Sequence, residues 1–503
     1  MNEPGQSENQ DYFVTNLSDV ELKHQAIKGG AVSLIARGLA LIIQFFSVVV
    51  LARLLSPDDF GIYTMATVFT SIFFVFQDVG LTDATIQAPS LNHETLSTLF
   101  WINSGIGLII AIIICALSPV AVLFFKKPEL KLILFVSSTA FIFWGISVQH
   151  LALLKRKLKF TEASIISVTS YFLGTLASII GAMSGMRYWS LVLRDIVSAL
   201  FVFILTWIYC KWRPGLPHQS SEVNKLVKFG LNSVGFYIVN YFSNYMDKAI
   251  IGKKFGSEPL GFYSRAYYIA VTPSSFMSQS LFHVAVSTLS KLREDQKKFQ
   301  SYYHNALSLI SFVGMPFSAF IVVLNKELVY ILLGKQWAPT AGLFAILGIS
   351  AGLFIIYQTN GWLHVSLGRS DRWFKWGIFS AVVLSSGFLV GMLISIKAIA
   401  WAYSIAIIVL TIPSLIYAGK PISITFSLLV KAISKNTMAS IVSGLIFWQI
   451  KYHFLDKIAL IPRVIVSFIV FTLSYLIILS LLHRRIKPIF DYYHQIKSGI
   501  LGK

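Results

Sequence analysis

From Gly30 to His483 the sequence passes through one apolar stretch of membrane-crossing length after another, and this succession limits what the chain can fold into. A hydrocarbon layer about 30 Å thick takes about 20 residues of helix. Windows of that kind begin near Gly30, Phe60, Thr98, Leu132, Ala163, Tyr188, Leu226, Gly261, Tyr302, Ala341, Trp373, Ala398, Ala432 and Ala459, fourteen in all. Inside lipid every backbone N–H and C=O must find a partner within the protein, which leaves helices or a closed barrel. The runs do not alternate apolar with polar, so a barrel is excluded. The expected fold is an all-α polytopic membrane protein of about 14 transmembrane helices. The Thr98 window contains Ser118-Pro119, and a break there would lower the count to twelve or thirteen.

Only 13% of the residues are charged, where soluble proteins carry about 25%. No large soluble domain fits that composition. A net charge of +20 could suit nucleic acid, but the Lys and Arg residues fall in short loops between spans, as tethers to anionic lipid do, so no nucleic-acid partner is expected. With the N-terminus inside, about 25 cations fall on the cytoplasmic side and about 13 outside, which places both termini in the cytoplasm. Lys126, Lys127 and Lys131 run against the rule, and the inner loop from Thr82 to Ser97 has no Lys or Arg. The first 29 residues lack an apolar run, so the first span is expected to serve as an uncleaved anchor. Cys115 and Cys210 have no partner spacing and read as core filler.

A duplication organises the chain. Phe60-Gly61-Ile62-Tyr63 returns 200 residues later as Leu260-Gly261-Phe262-Tyr263. In span one Ser33, Arg37, Ala40, Gln44 and Ser47 share a helical face, and the positions 200 later in span seven are Ser233, Tyr237, Asn240, Asn244 and Asp247. Polar stripes in hydrocarbon must face protein or water. Two in equivalent positions point to two pseudo-symmetric six-helix lobes around a central cavity, plus two C-terminal helices. Six spans separate the copies, so the repeat is parallel, about an axis along the membrane normal. The expected segments are 1–29 (N-terminal, cytoplasmic), 30–210 (first lobe), 211–225 (a linker rich in Pro, Gly and Ser), 226–420 (second lobe), 421–482 (spans thirteen and fourteen) and 483–503 (a basic tail).

The candidate cavity residues are Arg37, Gln44, Asp78, Arg194, Asp195, Tyr237, Asn240, Asn244, Asp247, Arg265, Gln279 and His283. Arg37 lies about ten Å into the membrane, where a guanidinium needs a stronger reason than the helix-to-helix packing that is the alternative for such polar stripes. Arg194 and Asp195 are adjacent and point about 100° apart, so each is expected to need another partner. Asp247 and Arg265 lie at similar depth and are expected to pair. In span eight Arg265, Tyr268, Thr272, Ser275, Gln279 and His283 form a further polar face; a lone histidine such as His283 is more often a packing residue than a proton carrier. There is no phosphate-binding loop, metal motif or nucleophile elbow, so neither an enzyme nor a resident cofactor or metal is expected, and uphill work would draw on an H+ or Na+ gradient.

The run Leu51-Ala52-Arg53-Leu54-Leu55-Ser56-Pro57-Asp58-Asp59-Phe60-Gly61, with Gln77-Asp78-Val79-Gly80-Leu81 and Ile86-Gln87, resembles the polysaccharide flippases of the multidrug/oligosaccharidyl-lipid/polysaccharide superfamily. The run Met246-Asp247-Lys248-Ala249-Ile250-Ile251-Gly252 is similar to the same family's second repeat. The resemblance implies a V-shaped pair of six-helix lobes with two extra helices in a bacterial inner membrane. It implies alternating-access transfer of an undecaprenyl-pyrophosphate-linked oligosaccharide to the periplasmic leaflet for capsule, exopolysaccharide or O-antigen assembly, beside polymerase and chain-length partners. A sugar head with a pyrophosphate needs a polar, cation-bearing cavity, for which Arg37, Arg194 and Arg265 are candidates, and Tyr237, Tyr241 and Tyr268 are candidate stacking faces. The rival readings are a cation-coupled exporter of small amphipathic compounds, a membrane-embedded polysaccharide-synthesis enzyme, and a pore.

Overall fold

The computed structural model describes residues 19–78, 80–88, 91–218, 241–455 and 458–483. The chain divides into two compact units, Met1–Gly261 and Phe262–Lys503. The first holds α1 (Asp19–Leu54), α2 (Pro57–Asp78), the short α3 (Leu81–Gln87), α4 (His93–Phe125), α5 (Glu129–Arg156), α6 (Phe160–Met183), α7 (Trp189–Tyr209), a helix α8 over 241–255, and the start of α9 (Ser257–Lys291). The second holds the rest of α9, then α10 (Gln296–Val323), α11 (Asn325–Leu332), α12 (Thr340–Gln358), α13 (Asn360–Ser366), α14 (Ser370–Met392), α15 (Ile396–Gly419), α16 (Phe426–Ile450) and α17 (Leu460–His483). Every described residue outside turns and loops is helical, and each of the fourteen apolar windows falls on helix, the seventh over its 241–255 end. Among the described residues ten helices are long and apolar enough to cross a membrane. The protein is therefore a multi-pass membrane protein. The windows outside these ten are those on α2, α8, α9 and α16, and three of these four carry the repeated motifs or the polar faces.

The duplication extends through the fold with small shifts of offset. Gly107 of α4 and Gly145 of α5 let two helices touch backbone to backbone: a Cβ on Gly107 would stand 2.6 Å from the Phe141 carbonyl oxygen, and one on Gly145 would stand 2.8 Å from that of Asn103. Gly314 of α10 and Gly352 of α12, both 207 positions later, make the same crossing, with the Gly352 Cβ position 2.1 Å from the Gly314 carbonyl oxygen. Small residues are what allow helices to associate in lipid, where apolar side chains gain nothing by leaving the solvent. The C-terminal end of α5 closes with Leu158 at φ 55° and the Lys159 N–H donating to the Leu154 carbonyl at 2.9 Å. The end of α13 closes in the same way, 210 residues on, with Gly368 at φ 66° and Arg369 N–H on His364 at 2.8 Å. Both are left-handed caps in which the N–H three residues past the helix turns back five positions to satisfy an orphan carbonyl.

Pro119 does not break α4, which runs unbroken to Phe125 and ends at Lys126 in the left-handed region. Proline removes the N–H that would have met the Cys115 carbonyl. The Ser118 hydroxyl donates to that carbonyl at 2.8 Å, so no backbone acceptor is left bare in the apolar layer. The inner loop without Lys or Arg obtains its cation from α5: Arg156 Nη1 donates to the carbonyls of Thr85, Ile86 and Ala88 at 2.9, 3.2 and 2.7 Å, where α3 ends and its dipole is negative. Segment 211–218 is strapped along the start of α4. Ser97 Oγ accepts from Gly215 N–H at 2.9 Å, and Trp101 Nε1 donates to the Gly215 carbonyl at 2.8 Å. Trp212 is fully buried there beside His93. Asp295 caps α10 by accepting the Lys298 backbone N–H at 3.0 Å, which holds its carboxyl below the ordinary aspartate range.

Candidate functional site

The repeated Gly-x-Tyr motif sits at the hairpins that open α2 and α9. Ser56 and Asp59 form a reciprocal cap on α2: Asp59 N–H donates to Ser56 Oγ at 3.2 Å, and Ser56 N–H and Oγ donate to Asp59 Oδ2 at 3.0 and 2.6 Å. Pro57 takes the first helical position, where its missing N–H costs nothing. One turn on, a Cβ on Gly61 would lie 1.7 Å from the Ser257 carbonyl oxygen, and one on Gly261 would lie 1.9 Å from that of Pro57. With an offset of 200 these are one contact made twice, the first glycine meeting the second helix start and the second glycine meeting the first. That reciprocity is the mark of a two-fold relation between like surfaces. It gives the motif's glycine its reason, since any side chain would push the helix starts apart. Ser257 Oγ also hydrogen-bonds to Asp58. Lys127 and Arg187 stand 3.8 Å from Asp58, and Arg187 Nε donates to Asp59 Oδ1 at 3.2 Å. One of the cations that breaks the inside-outside charge bias, Lys127, is thus tied to the helix start.

Tyr63, one turn below Asp59 on α2, reaches the charges of α7. Its hydroxyl donates to Asp195 Oδ2 at 2.6 Å and accepts from Arg194 Nη2 at 2.8 Å. Arg194 Nε donates to Asp195 Oδ1 at 3.1 Å, so the neighbours do reach one another despite their diverging faces, while Tyr63 is the further partner expected of each. Their Cβ atoms do diverge, but the guanidinium stem is long enough to fold back, and Tyr63 closes the triangle from a second helix. Arg194 is 21% and Asp195 43% exposed, so the group is paired yet open at one edge. Sequence reasoning named Tyr63 only as a motif letter. A phenol in a repeated motif, at the same expected depth as a charged pair, was the available signal.

On α1, Arg37 is exposed, Gln44 half-buried and Ser47 buried. Between Leu34 and Phe46 the large apolar residues that α1 exposes are Leu34, Ile35, Leu39, Ile42, Phe45 and Phe46. At about 100° per residue that apolar face lies opposite the stripe of Ser33, Arg37, Ala40, Gln44 and Ser47. Arg37 therefore projects from the side of α1 away from its greasy face. On α8, Asn244 is exposed while Asp247 is 2% exposed, its Oδ1 accepting Lys248 N–H at 2.7 Å with Lys248 Nζ at 3.7 Å. Tyr241 donates to the Val68 carbonyl at 2.6 Å and stacks on Tyr245, so it acts in packing and is not an open sugar platform. On α9, Arg265 lies over the Tyr268 ring at 5.2 Å, both half-buried, and the same face becomes exposed at Gln279 and His283. Tyr237, Asn240, Ser233 and the Asp78 side chain lie outside the described residues. No group of three His, Cys, Asp or Glu side chains suited to a metal ion occurs among the described residues.

A multi-pass helical protein with an internal repeat, and with charged side chains within its spans, has the make-up of a secondary transporter. Solved structures give the fold. A lipid II flippase, MurJ in its inward closed conformation, superposes with a TM-score of 0.72 at 16% identity, covering 90% of this chain and 98% of its own. An inward-facing multidrug-resistance transporter of the MATE family, in the MOP superfamily, superposes at 0.58 with 11% identity, covering 79% and 98%. The chain belongs to the polysaccharide biosynthesis protein family Polysacc_synt_3, whose model matches residues 50–342. Similar curated proteins include the lipopolysaccharide biosynthesis protein WzxC of Escherichia coli, 23% identical over 74% of this chain and 76% of its own length. The teichuronic acid biosynthesis protein TuaB of Bacillus subtilis is 25% identical over 68% and 71%, and the succinoglycan biosynthesis transport protein ExoT of Rhizobium meliloti is 23% identical over 69% and 71%.

Proposed function

We propose that the protein is a flippase that carries an undecaprenyl-pyrophosphate-linked oligosaccharide repeat unit from the cytoplasmic to the periplasmic leaflet of a bacterial inner membrane, by alternating access, for assembly of an exopolysaccharide, capsule or O-antigen. The observation that carries this reading is the exposed Arg37 guanidinium in mid-span, on the side of α1 away from its apolar face. A cation at that depth is costly in lipid and is accounted for by an aqueous chamber that takes in an anion. Arg37 and the Tyr63–Arg194–Asp195 group would receive the pyrophosphate and the sugar hydroxyls, with Gln44 and Asn244 further along the same unit, while the isoprenoid tail stays in lipid. Tyr237 and Asn240 fall on the same expected face as Asn244, and Asp78 is a further candidate from the end of span two. Asp247, held by Lys248, acts as a positioning residue for α8. The similarity to WzxC, TuaB and ExoT, proteins of lipopolysaccharide, teichuronic acid and succinoglycan biosynthesis, and the fold shared with the lipid II flippase MurJ support the substrate class. Both termini lie in the cytoplasm on this reading, an H+ or Na+ gradient or consumption of product drives the cycle, and polymerase and chain-length proteins take up the product.

Deletion of the gene tests the assignment. The lipid-linked unit should accumulate in the inner leaflet and the surface polymer should disappear; normal polymer would refute the function. A cation-coupled exporter of small amphipathic compounds, the second reading, would instead leave polymer intact and raise drug sensitivity.

A further inference from the structure

In the second unit, where α10 passes into α11 and α16 turns toward α17, a cavity of about 460 Å³ opens. Four charged side chains line it: Lys326, Glu327, Lys451 and Arg463. Glu327 is 4% exposed and serves two cations at once. Lys451 Nζ donates to Glu327 Oε2 and to the Val323 carbonyl, both at 2.9 Å, and Arg463 Nη1 stands 3.5 Å from Glu327 Oε1. Arg463 is fixed from behind by the Ile458 carbonyl, which accepts from Nε at 3.1 Å and Nη2 at 2.8 Å. One carboxylate thus holds two cations in place, and with the exposed Lys326 the cavity keeps an excess of two positive charges. Such an excess beside an apolar bundle attracts an anion.

The surroundings say what kind of anion. Trp448 and Tyr452 stand in the same lining, 53% and 68% exposed, as aromatic side chains do at the lipid–water boundary. Deeper along the same two helices, Leu445 of α16 and Ile461, Ile465 and Phe468 of α17 are each more than half exposed. Cations at the rim and bare apolar surface on the helices beneath match an amphiphile with a phosphate head and a hydrocarbon tail. We propose that this cavity binds the phosphate head of a membrane lipid, an acidic phospholipid or a polyprenyl phosphate, whose tail lies along α16 and α17. These helices are the additional pair beyond the two six-span repeats, and a lipid held there is a contact the repeats themselves cannot supply.

The test uses the full-length protein in phosphatidylcholine nanodiscs, with native mass spectrometry counting retained lipid. Phosphatidylglycerol and a polyprenyl phosphate are added separately, and inorganic phosphate serves as the tail-less probe. Each surface cation contributes about five-fold to acidic-lipid preference, so Lys326→Gln should lower retention relative to phosphatidylcholine about five-fold and Lys326→Gln with Arg463→Gln about 25-fold. Lys326 is exposed, so the single variant reads the site without threatening the fold. Retention of phosphatidylglycerol alone identifies bulk lipid as the ligand, retention of polyprenyl phosphate alone identifies the carrier, and either supports the site. Equal retention by wild type and both variants, no preference over phosphatidylcholine, or displacement by equimolar inorganic phosphate would overturn it. None of these readouts depends on repeat-unit transport.

Discussion

The two repeats share a backbone plan and differ in chemistry at the same joint. In the first, α2 meets α7 through Tyr63, Arg194 and Asp195, a hydroxyl between two charges. In the second, α9 meets α15 through Tyr267 and Tyr403, two rings edge to face at 5.5 Å. The buried positions Leu191, Val192, Ala199, Val202 and Thr206 of α7 match Ile399, Ala400, Ile407, Leu410 and Ser414 of α15 at an offset of 208, which sets Tyr403 where Asp195 stands and Ala402 where Arg194 stands. Both joints fill space, and among the contacts described the first is ionic and the second aromatic. Duplication preserved the close helix crossings, where backbone meets backbone, and left this contact free to diverge. On the proposed function the first repeat handles the anionic head.

The largest expected effect tests what the repeats have in common. Gly61→Val and Gly261→Val should each force a helix start off a backbone carbonyl and should lose folded protein in the membrane to a similar degree, measured by detergent-extracted monodisperse yield. Gly105→Val, with open space around its Cβ position, should change little. Unequal losses at 61 and 261 would break the reciprocity.

Arg194→Ala strips Asp195 of its ion pair and should cost about 2 kcal/mol in thermal or denaturant stability as well as transport. Ala402→Ser at the equivalent place in the second repeat should cost neither. Tyr63→Phe removes a hydroxyl that both gives and takes a hydrogen bond and should cost about 1 kcal/mol. Tyr403→Phe keeps the ring contact and should leave transport intact, so a strong transport defect there would erase the proposed division of labour. Smallest of all, Ser118→Ala exposes the Cys115 carbonyl beside Pro119 and should cost about 0.6 kcal/mol, an effect that Pro119→Ala in the same chain should cancel.

The helical membrane fold and the duplication were legible because both are written in periodicity and spacing, and lipid allows few alternatives. Ser118 beside Pro119 shows where that reading falls short: a serine before a proline looks like a turn until the hydroxyl is seen capping its own helix. The glycines of the repeated motif were visible as letters, but their purpose depends on which backbone lies opposite, and no spacing reports that. Arg194 and Asp195 were legible as charges within a span that would need a further partner, but not their contact with each other, because helical angle fixes Cβ directions and not the reach of a guanidinium. Glu327, Lys451 and Arg463 lie more than a hundred residues apart in part and converge only through packing, so nothing along the chain brings them together.

The central claim is that a charged, wet face in the first repeat receives the anionic head of the lipid-linked glycan, and Arg37→Ala probes it most directly. In a deletion strain carrying that variant, lipid-linked repeat units in the inner leaflet and surface polymer should be measured together with the amount of membrane-inserted protein. The account predicts accumulated intermediate and lost polymer at an unchanged protein level. Normal polymer, or a protein that fails to insert, would contradict it.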